Sequence, residues 1–307
     1  MPKAVGPLAP PSSCLAPPSS SLLASQARAA ACGFLALSAA FHACVHFGRS
    51  SPWLPLHFPA RAEYCPPAAP GCSRPELLFF QASSLPPMLI CAWCGARSYY
   101  RLPARASLAP EERVLGAAEH VALVASTNFA FQVFNFLHSL SIPEHRAPLA
   151  LAHHALAAFA AGACWRHRLL PYYAGFFLGV SEVSTLPLIL VDLGRFFALD
   201  ERGPLFAAAE LSKGLFALTF LYFRGFLWFA AVLPGMVSDI LLALRRGEGG
   251  GMIERHRPEQ AREIRLVLGA TLGIAAALSA LQIYWAGLIV GEVAKMVAGA
   301  GEGGGEL

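Results

Sequence analysis

The chain has 307 residues, 56% of them hydrophobic and only 14% charged, with a mean hydropathy of +0.51. Soluble domains carry about 25% charged residues, so this composition excludes an ordinary soluble globule and points to a polytopic membrane protein. A net charge of +4, spread along the chain, offers no basic patch for nucleic acid.

Residues 1–21 are rich in Pro and Ser, and no acidic residue precedes Glu63. That bias fits a disordered tail better than an organellar transit segment, because no cleavage site stands out. Seven apolar segments follow, at 22–47, 77–94, 114–140, 148–164, 171–191, 205–233 and 266–290. A helix needs about 20 residues to cross the hydrocarbon region, and the seven approach or exceed that length. Helices satisfy their own backbone in lipid, and the short alternating strands of an outer-membrane barrel are absent. The expected fold is therefore an all-α membrane bundle of about seven transmembrane helices. The apolar stretch from Arg224 to Leu244 suits a re-entrant or interfacial helix, which leaves an eighth crossing open. The expected organisation is a tail at 1–21, a first transmembrane helix and Cys-containing loop at 22–74, a helical membrane domain at 75–297, and a disordered Gly/Glu tail at 298–307.

The loops carry the arginines. The N-terminal tail and loops two, four and six hold thirteen Lys and Arg, against seven in loops one, three and five and the C-terminal tail. The positive-inside rule then puts the N-terminus in the cytosol and, with seven spans, the C-terminus outside. Among the eight cysteines, Cys65 and Cys72 share a loop that could close as a disulfide in an oxidising lumen. Cys91 and Cys94 have CxxC spacing without a second pair, so neither zinc nor redox chemistry is expected, and no metal site.

Polar groups inside apolar segments are costly in lipid and tend to face a bundle interior. His153 and His154 lie side by side in the fourth segment, and Glu182 lies in the fifth. Counted along an antiparallel hairpin at 1.5 Å per residue, His154 and Glu182 sit at the same depth, about 16 Å from the turn. Asn135 counts to that layer from the third segment. An imidazole, a carboxylate and an amide at one depth could bind a polar head group or perform acyl transfer. The simpler reading, two histidines satisfied by neighbouring carbonyls, carries about equal weight in an arbitrary membrane protein. Ser184 offers a hydroxyl beside Glu182, and Lys213 is a candidate counter-ion for it. Arg224 fits a snorkelling side chain near the far interface. Gln282 fits either the lining of a cavity or an interfacial anchor. The spacings Gly175-x-x-x-Gly179, Gly269-x-x-x-Gly273 and Gly287-x-x-x-Gly291 allow close helix packing. Lys295 lies too near the end of the last segment for a retinal Schiff base.

Four runs together resemble the TLC-domain family, named for translocating-chain-associating, longevity-assurance and ceroid-lipofuscinosis proteins. They are Ala152-His-His-Ala-Leu156, Tyr172-Tyr-Ala-Gly-Phe-Phe-Leu-Gly-Val-Ser-Glu-Val-Ser-Thr-Leu-Pro187, Leu218-Thr-Phe-Leu-Tyr-Phe-Arg224 and Leu281-Gln-Ile-Tyr-Trp285. The resemblance spans about residues 75–297. It implies a helical bundle around a lipid-sized central cavity, in the endoplasmic reticulum or connected endomembranes, and a cytosolic C-terminus, which an eighth crossing would reconcile with the arginine count. Family members include ceramide synthases, which join an acyl group from acyl-CoA to a long-chain base, regulators of phospholipid composition, and proteins that help others move from the endoplasmic reticulum. In the synthases a histidine pair supports acyl transfer and an aspartate pair in the next helix assists. His153 and His154 match the first element. Glu182 stands in the corresponding helix without an H-D-x-x-D run, and Asp192 comes ten residues later.

The resemblance therefore implies a protein that binds a sphingolipid, phospholipid or fatty-acyl species and contributes to membrane-lipid homeostasis. The alternatives are an acyl-CoA-dependent N-acyltransferase and a cargo adaptor. No cofactor is expected, with acyl-CoA a co-substrate only in the enzyme reading. Association of copies of the chain is left open.

Overall fold

A computed structural model describes residues 20–65, 72–245 and 251–302. The expected tails fall largely outside the described residues. Those described are helical, with no strand among them; extended backbone pairs only as an isolated antiparallel bridge between Ala60 and Phe197. In chain order the helices are α1 (Ser20–Ser50), α2 (Trp53–His57), α3 (Pro75–Tyr99), α4 (Pro110–Leu115), α5 (Glu119–Ser139) and α6 (Pro148–His167). They continue as α7 (Pro171–Phe177), α8 (Thr185–Phe196), α9 (Pro204–Phe220), α10 (Leu233–Leu244), α11 (Met252–His256) and α12 (Ala261–Glu302). Seven stretches are long and apolar enough to cross a membrane: Ala31–Ser50, Pro75–Tyr99, Val121–Ser139, Pro148–His167, Pro171–Phe196, Pro204–Leu244 and Pro258–Lys295. The fold is the expected all-α membrane bundle.

Proline opens α3, α4, α6, α7 and α9, where a missing N–H costs nothing and a fixed φ suits the first turn. The turn between α6 and α7 uses two left-handed residues that are not glycine, Arg168 at φ 49° and Leu170 at φ 58°. Leu170 is held there by donating its N–H to Val114 O at 2.8 Å. In the bundle α5 runs along α6, α3 packs on α5, α7 and α8, and α12 lies against α6.

The fifth span is not one helix. It breaks at Leu178–Gly179, passes through a 3₁₀ segment, Val180–Ser184, and resumes as α8. The break sits against α3 with almost no separation. A Cβ on Gly95 would lie 2.4 Å from Gly179 Cα, and one on Gly179 would lie 2.5 Å from Gly95 Cα. The expected close packing at Gly175-x-x-x-Gly179 is therefore realised against Gly95. The other two glycine pairs behave differently: a Cβ on Gly269, Gly273, Gly287 or Gly291 would meet nothing within 4 Å. They face outward, because the inner face of α12 carries Ile264, Leu268, Ala275 and Leu278 instead.

The stretch from Arg224 to Leu244 does not turn back as a re-entrant helix. It continues α9 through a π-helical segment, Leu221–Val232, directly into α10. Phe220, Arg224, Trp228, Val232, Met236 and Ile240 are all buried, a strict four-residue period. In an α-helix each step of four advances about 40°, so such a stripe would spiral away from the bundle. The wider π turn absorbs that drift and keeps Arg224 and Trp228 on the inner face.

Polar clamps fasten the loops at both ends. Asp239, fully buried on α10, accepts from Arg113 Nε at 2.5 Å and Nη2 at 2.7 Å, from Arg105 Nη2 at 2.9 Å, and from the Tyr173 hydroxyl. Arg257 donates to the carbonyls of His167 at 2.5 Å and Leu115 at 3.1 Å. At the opposite end Arg74 holds Glu76 and, at 2.9 and 3.0 Å, both oxygens of Glu144. Cys65 and Cys72 are joined as a disulfide in the adjoining loop, as their spacing allowed.

Candidate functional site

Glu182 lies in the 3₁₀ segment, buried, and takes three donors. Arg224 Nη2 is at 2.9 Å, the Thr185 hydroxyl at 2.7 Å and Asn128 Nδ2 at 3.4 Å. Arg224 also donates from Nε to Ser181 O and Ser184 Oγ, both at 3.0 Å. Ser184 in turn donates to Ser181 O at 2.9 Å. A buried carboxylate and guanidinium are stable in such a place only when paired and fully bonded, and here the broken fifth span exposes backbone and hydroxyl acceptors where Arg224 needs them.

Two expectations change. The counter-ion of Glu182 is Arg224, not Lys213: Lys213 is exposed on α9 and pairs with Glu210 one turn earlier at 2.6 Å. Arg224 does not snorkel to an interface, because the π segment turns it inward. The layer is displaced as well. The amide that reaches Glu182 is Asn128, two turns along α5 from Asn135. Asn135 is buried but does not line the cavity described below. Counting depth at 1.5 Å per residue assumed one continuous helix from Pro171, and the break at Gly179 invalidates that count.

The histidines separate in role. His154 Nδ1 lies 2.7 Å from Gln132 Oε1 on α5. His153 packs edge-on against Trp285, ring centroids 5.2 Å apart, and its Nδ1 is buried without a protein partner. Neither imidazole hydrogen-bonds to Glu182, whose donors are Arg224, Thr185 and Asn128. A carboxylate-oriented imidazole is thus not what the fold builds.

His153 and Glu182 nevertheless line one cavity, together with Asn128, Ser181, Arg224, Gln282 and a wall of apolar side chains that includes Ala157, Phe177, Trp228, Met236, Leu278 and Ala275. Space not filled by atoms amounts to about 690 Å³, part of it open to the surroundings. Trp228 is fixed in the wall by donating to Ser279 Oγ at 3.0 Å. Tyr173, also in the wall, ties the cavity to the Asp239 clamp. Gln282, 1% exposed, points here with neither amide atom bonded within the protein, which decides between the two roles expected for it.

Asn128 and Gln132 were not among the expected site residues, yet their spacing from Asn135 carried a signal. Asn128, Gln132 and Asn135 follow helical spacing (i, i+4, i+7) and form a buried amide stripe on α5. Asp239 is the sole acid between Lys213 and Arg245. Pairing it with arginines more than a hundred residues earlier had no local signal. Among the described residues no group of three His, Cys, Asp or Glu is placed to hold a metal.

These features define a multi-pass integral membrane protein with a polar cluster at the wall of an intramembrane cavity. Residues 79–291 match the TLC domain, and the chain belongs to that family. No curated protein and no solved structure matches it.

Proposed function

We propose that the protein binds a membrane lipid in this cavity, acyl chain against the apolar wall and head group at Asn128, His153, Glu182 and Gln282, and so contributes to membrane-lipid homeostasis. Membership of the TLC family supports a setting in the endoplasmic reticulum or connected endomembranes. One observation carries the reading: buried polar atoms without protein partners converge on an otherwise apolar cavity inside the bundle. Such atoms cost free energy unless something bonds them. The test is mass spectrometry of lipid retained by the purified full chain, compared with Leu278→Trp, which fills the cavity. Stoichiometric lipid in the wild type and its loss in the variant are expected. A wild-type protein that retains no defined lipid, with an unchanged lipidome in cells lacking the chain, would end this reading in favour of a cargo adaptor.

The N-acyltransferase reading keeps one support, the unbonded Nδ1 of His153 at the cavity wall. It would take the proton from an amine that attacks the thioester carbonyl, so that the C–N bond forms as the C–S bond breaks and coenzyme A leaves as the thiol with that proton. Incubation with labelled acyl-CoA and a long-chain amine should give a labelled amide if this holds, and no product if the protein only binds.

A further inference from the structure

Resting on the lipid-binding reading, we infer the class of head group: uncharged, with an O–H or N–H donor beside a carbonyl acceptor, as in a fatty amide or a monoacylglycerol. Three groups on the cavity wall dictate it.

Asn128 is oriented by its neighbours. Its Nδ2 donates to Leu178 O at 3.1 Å and to Glu182 Oε1 at 3.4 Å, so the amide cannot turn over without losing both bonds. That leaves Oδ1 as an acceptor, in a residue 1% exposed, without a hydrogen bond from the protein: the Cys91 thiol beside the amide donates to Val124 O, at 3.9 Å, instead. A ligand that satisfies it must donate. Gln282, from α12, adds an unbonded Nε2 donor and an unbonded Oε1 acceptor on the same wall. His153 Nδ1 completes the set and serves as donor or acceptor according to tautomer. The unmet capacity is thus mixed, and an acceptor-only head group leaves Asn128 Oδ1 orphaned.

Charge narrows the class further. The formal charges on the wall are Glu182 and Arg224, which neutralise each other at 2.9 Å. The Arg224 Nε and Nη2 groups already donate to Ser181, Ser184, Glu182 and Thr185. A phosphodiester would bring a net negative charge beside Glu182 and Asn128 Oδ1, into a region with no compensating excess cation. A protonated amine would bring the opposite charge with the Glu182 carboxylate already matched. Triacylglycerols and simple esters are neutral but carry no donor.

The full-length wild-type chain in phosphatidylcholine nanodiscs is photolabelled with a diazirine-bearing fatty amide and, in a second arm, a diazirine-bearing monoacylglycerol. Unlabelled competitors are the amide, the monoacylglycerol, the methyl ester of the same acyl chain, and phosphatidate. Saturable labelling by at least one probe is expected, with the amide or monoacylglycerol competing about tenfold or more better than the methyl ester, the value of a hydrogen bond or more. Comparing the two arms tells which donor the site prefers. Gln282→Met, of similar length and unable to hydrogen-bond in the same way, should lower the ratio to the ester without abolishing it, because Asn128 Oδ1 still selects for a donor. Equal competition by the methyl ester, or displacement by phosphatidate at the same concentration, overturns the class of head group while leaving lipid binding intact. Absence of saturable labelling by either probe, with no lipid retained on purification, removes the lipid-binding reading itself. The wild-type competitions need no variant to fold.

Discussion

Glu182 and Arg224, forty-two residues apart in the chain, meet at 2.9 Å with side chains each 7% exposed. Each is further bonded by groups of the broken fifth span, Thr185 to the acid and Ser181 and Ser184 to the base. The pair joins the fifth and sixth spans and forms the charged part of the cavity wall.

Removing one partner leaves a buried charge uncompensated, at a cost of about 3–5 kcal/mol. Arg224→Met and Glu182→Leu should each lower the folded fraction sharply in thermal unfolding followed by size exclusion. The double variant should recover much of the loss. Singles as stable as the wild type would show that the pair contributes nothing. The contrasting control is Lys213→Ala, expected to be nearly neutral because its pair with Glu210 is exposed.

Contact between Gly95 and Gly179 sets the depth of the Glu182 segment. Gly179→Ala would force a Cβ to within 2.5 Å of Gly95 Cα, where neither backbone can yield easily. The expected loss is roughly 1–3 kcal/mol or more, with reduced lipid retention because Glu182 moves. Gly273→Ala, which meets nothing within 4 Å, should be tolerated. If both variants unfold at the wild-type temperature, the close approach does not hold in solution.

At the Asp239 clamp the two arginines should differ. Arg113 has a side chain 8% exposed and holds both carboxylate oxygens, whereas Arg105 is 43% exposed. Arg113→Ala leaves a buried Asp239 with one partial counter-ion and should cost several kcal/mol, on the order of other broken buried pairs. Arg105→Ala should cost about 1 kcal/mol or less. Equal losses by thermal melting would contradict this division.

Acid should loosen the loop between α5 and α6. His145 stacks on Phe80 at 4.5 Å and meets Phe196 edge-on at 5.5 Å. Burial among these rings pushes its imidazole down from 6.5 to about 4; Glu144 opposes the shift and Arg195 adds to it. The folded chain therefore favours the neutral ring, and the unfolded chain binds the proton first. Stability from this group is complete above about pH 6.5 and falls until about pH 4, by roughly 3 kcal/mol at most. Glu144 acts in the same direction: burial would raise its carboxyl, but the Arg74 hydrogen bonds hold it below the usual range, so its contribution is lost as the pH drops. Melting curves from pH 7 to pH 4 should show the decline, and His145→Phe should flatten its upper part. A profile unchanged by that variant would rule out His145 as the source.

Composition and the length of the apolar segments were enough to make this an intramembrane helical bundle. Seven long apolar stretches have to be helices, because lipid offers no other partner for their backbone. The histidine pair and Glu182 were legible as interior groups for the same reason, and the Cys65–Cys72 bond from its short loop. What stayed hidden depended on where helices depart from ideal winding. The break at Gly179 set Glu182 level with Asn128 instead of Asn135, and the π segment turned Arg224 inward as its counter-ion. Uniform rise and uniform turn per residue describe neither. Only packing against α3, which admits glycine alone at Gly95 and Gly179, and the pull of a buried charge toward its partner could decide them.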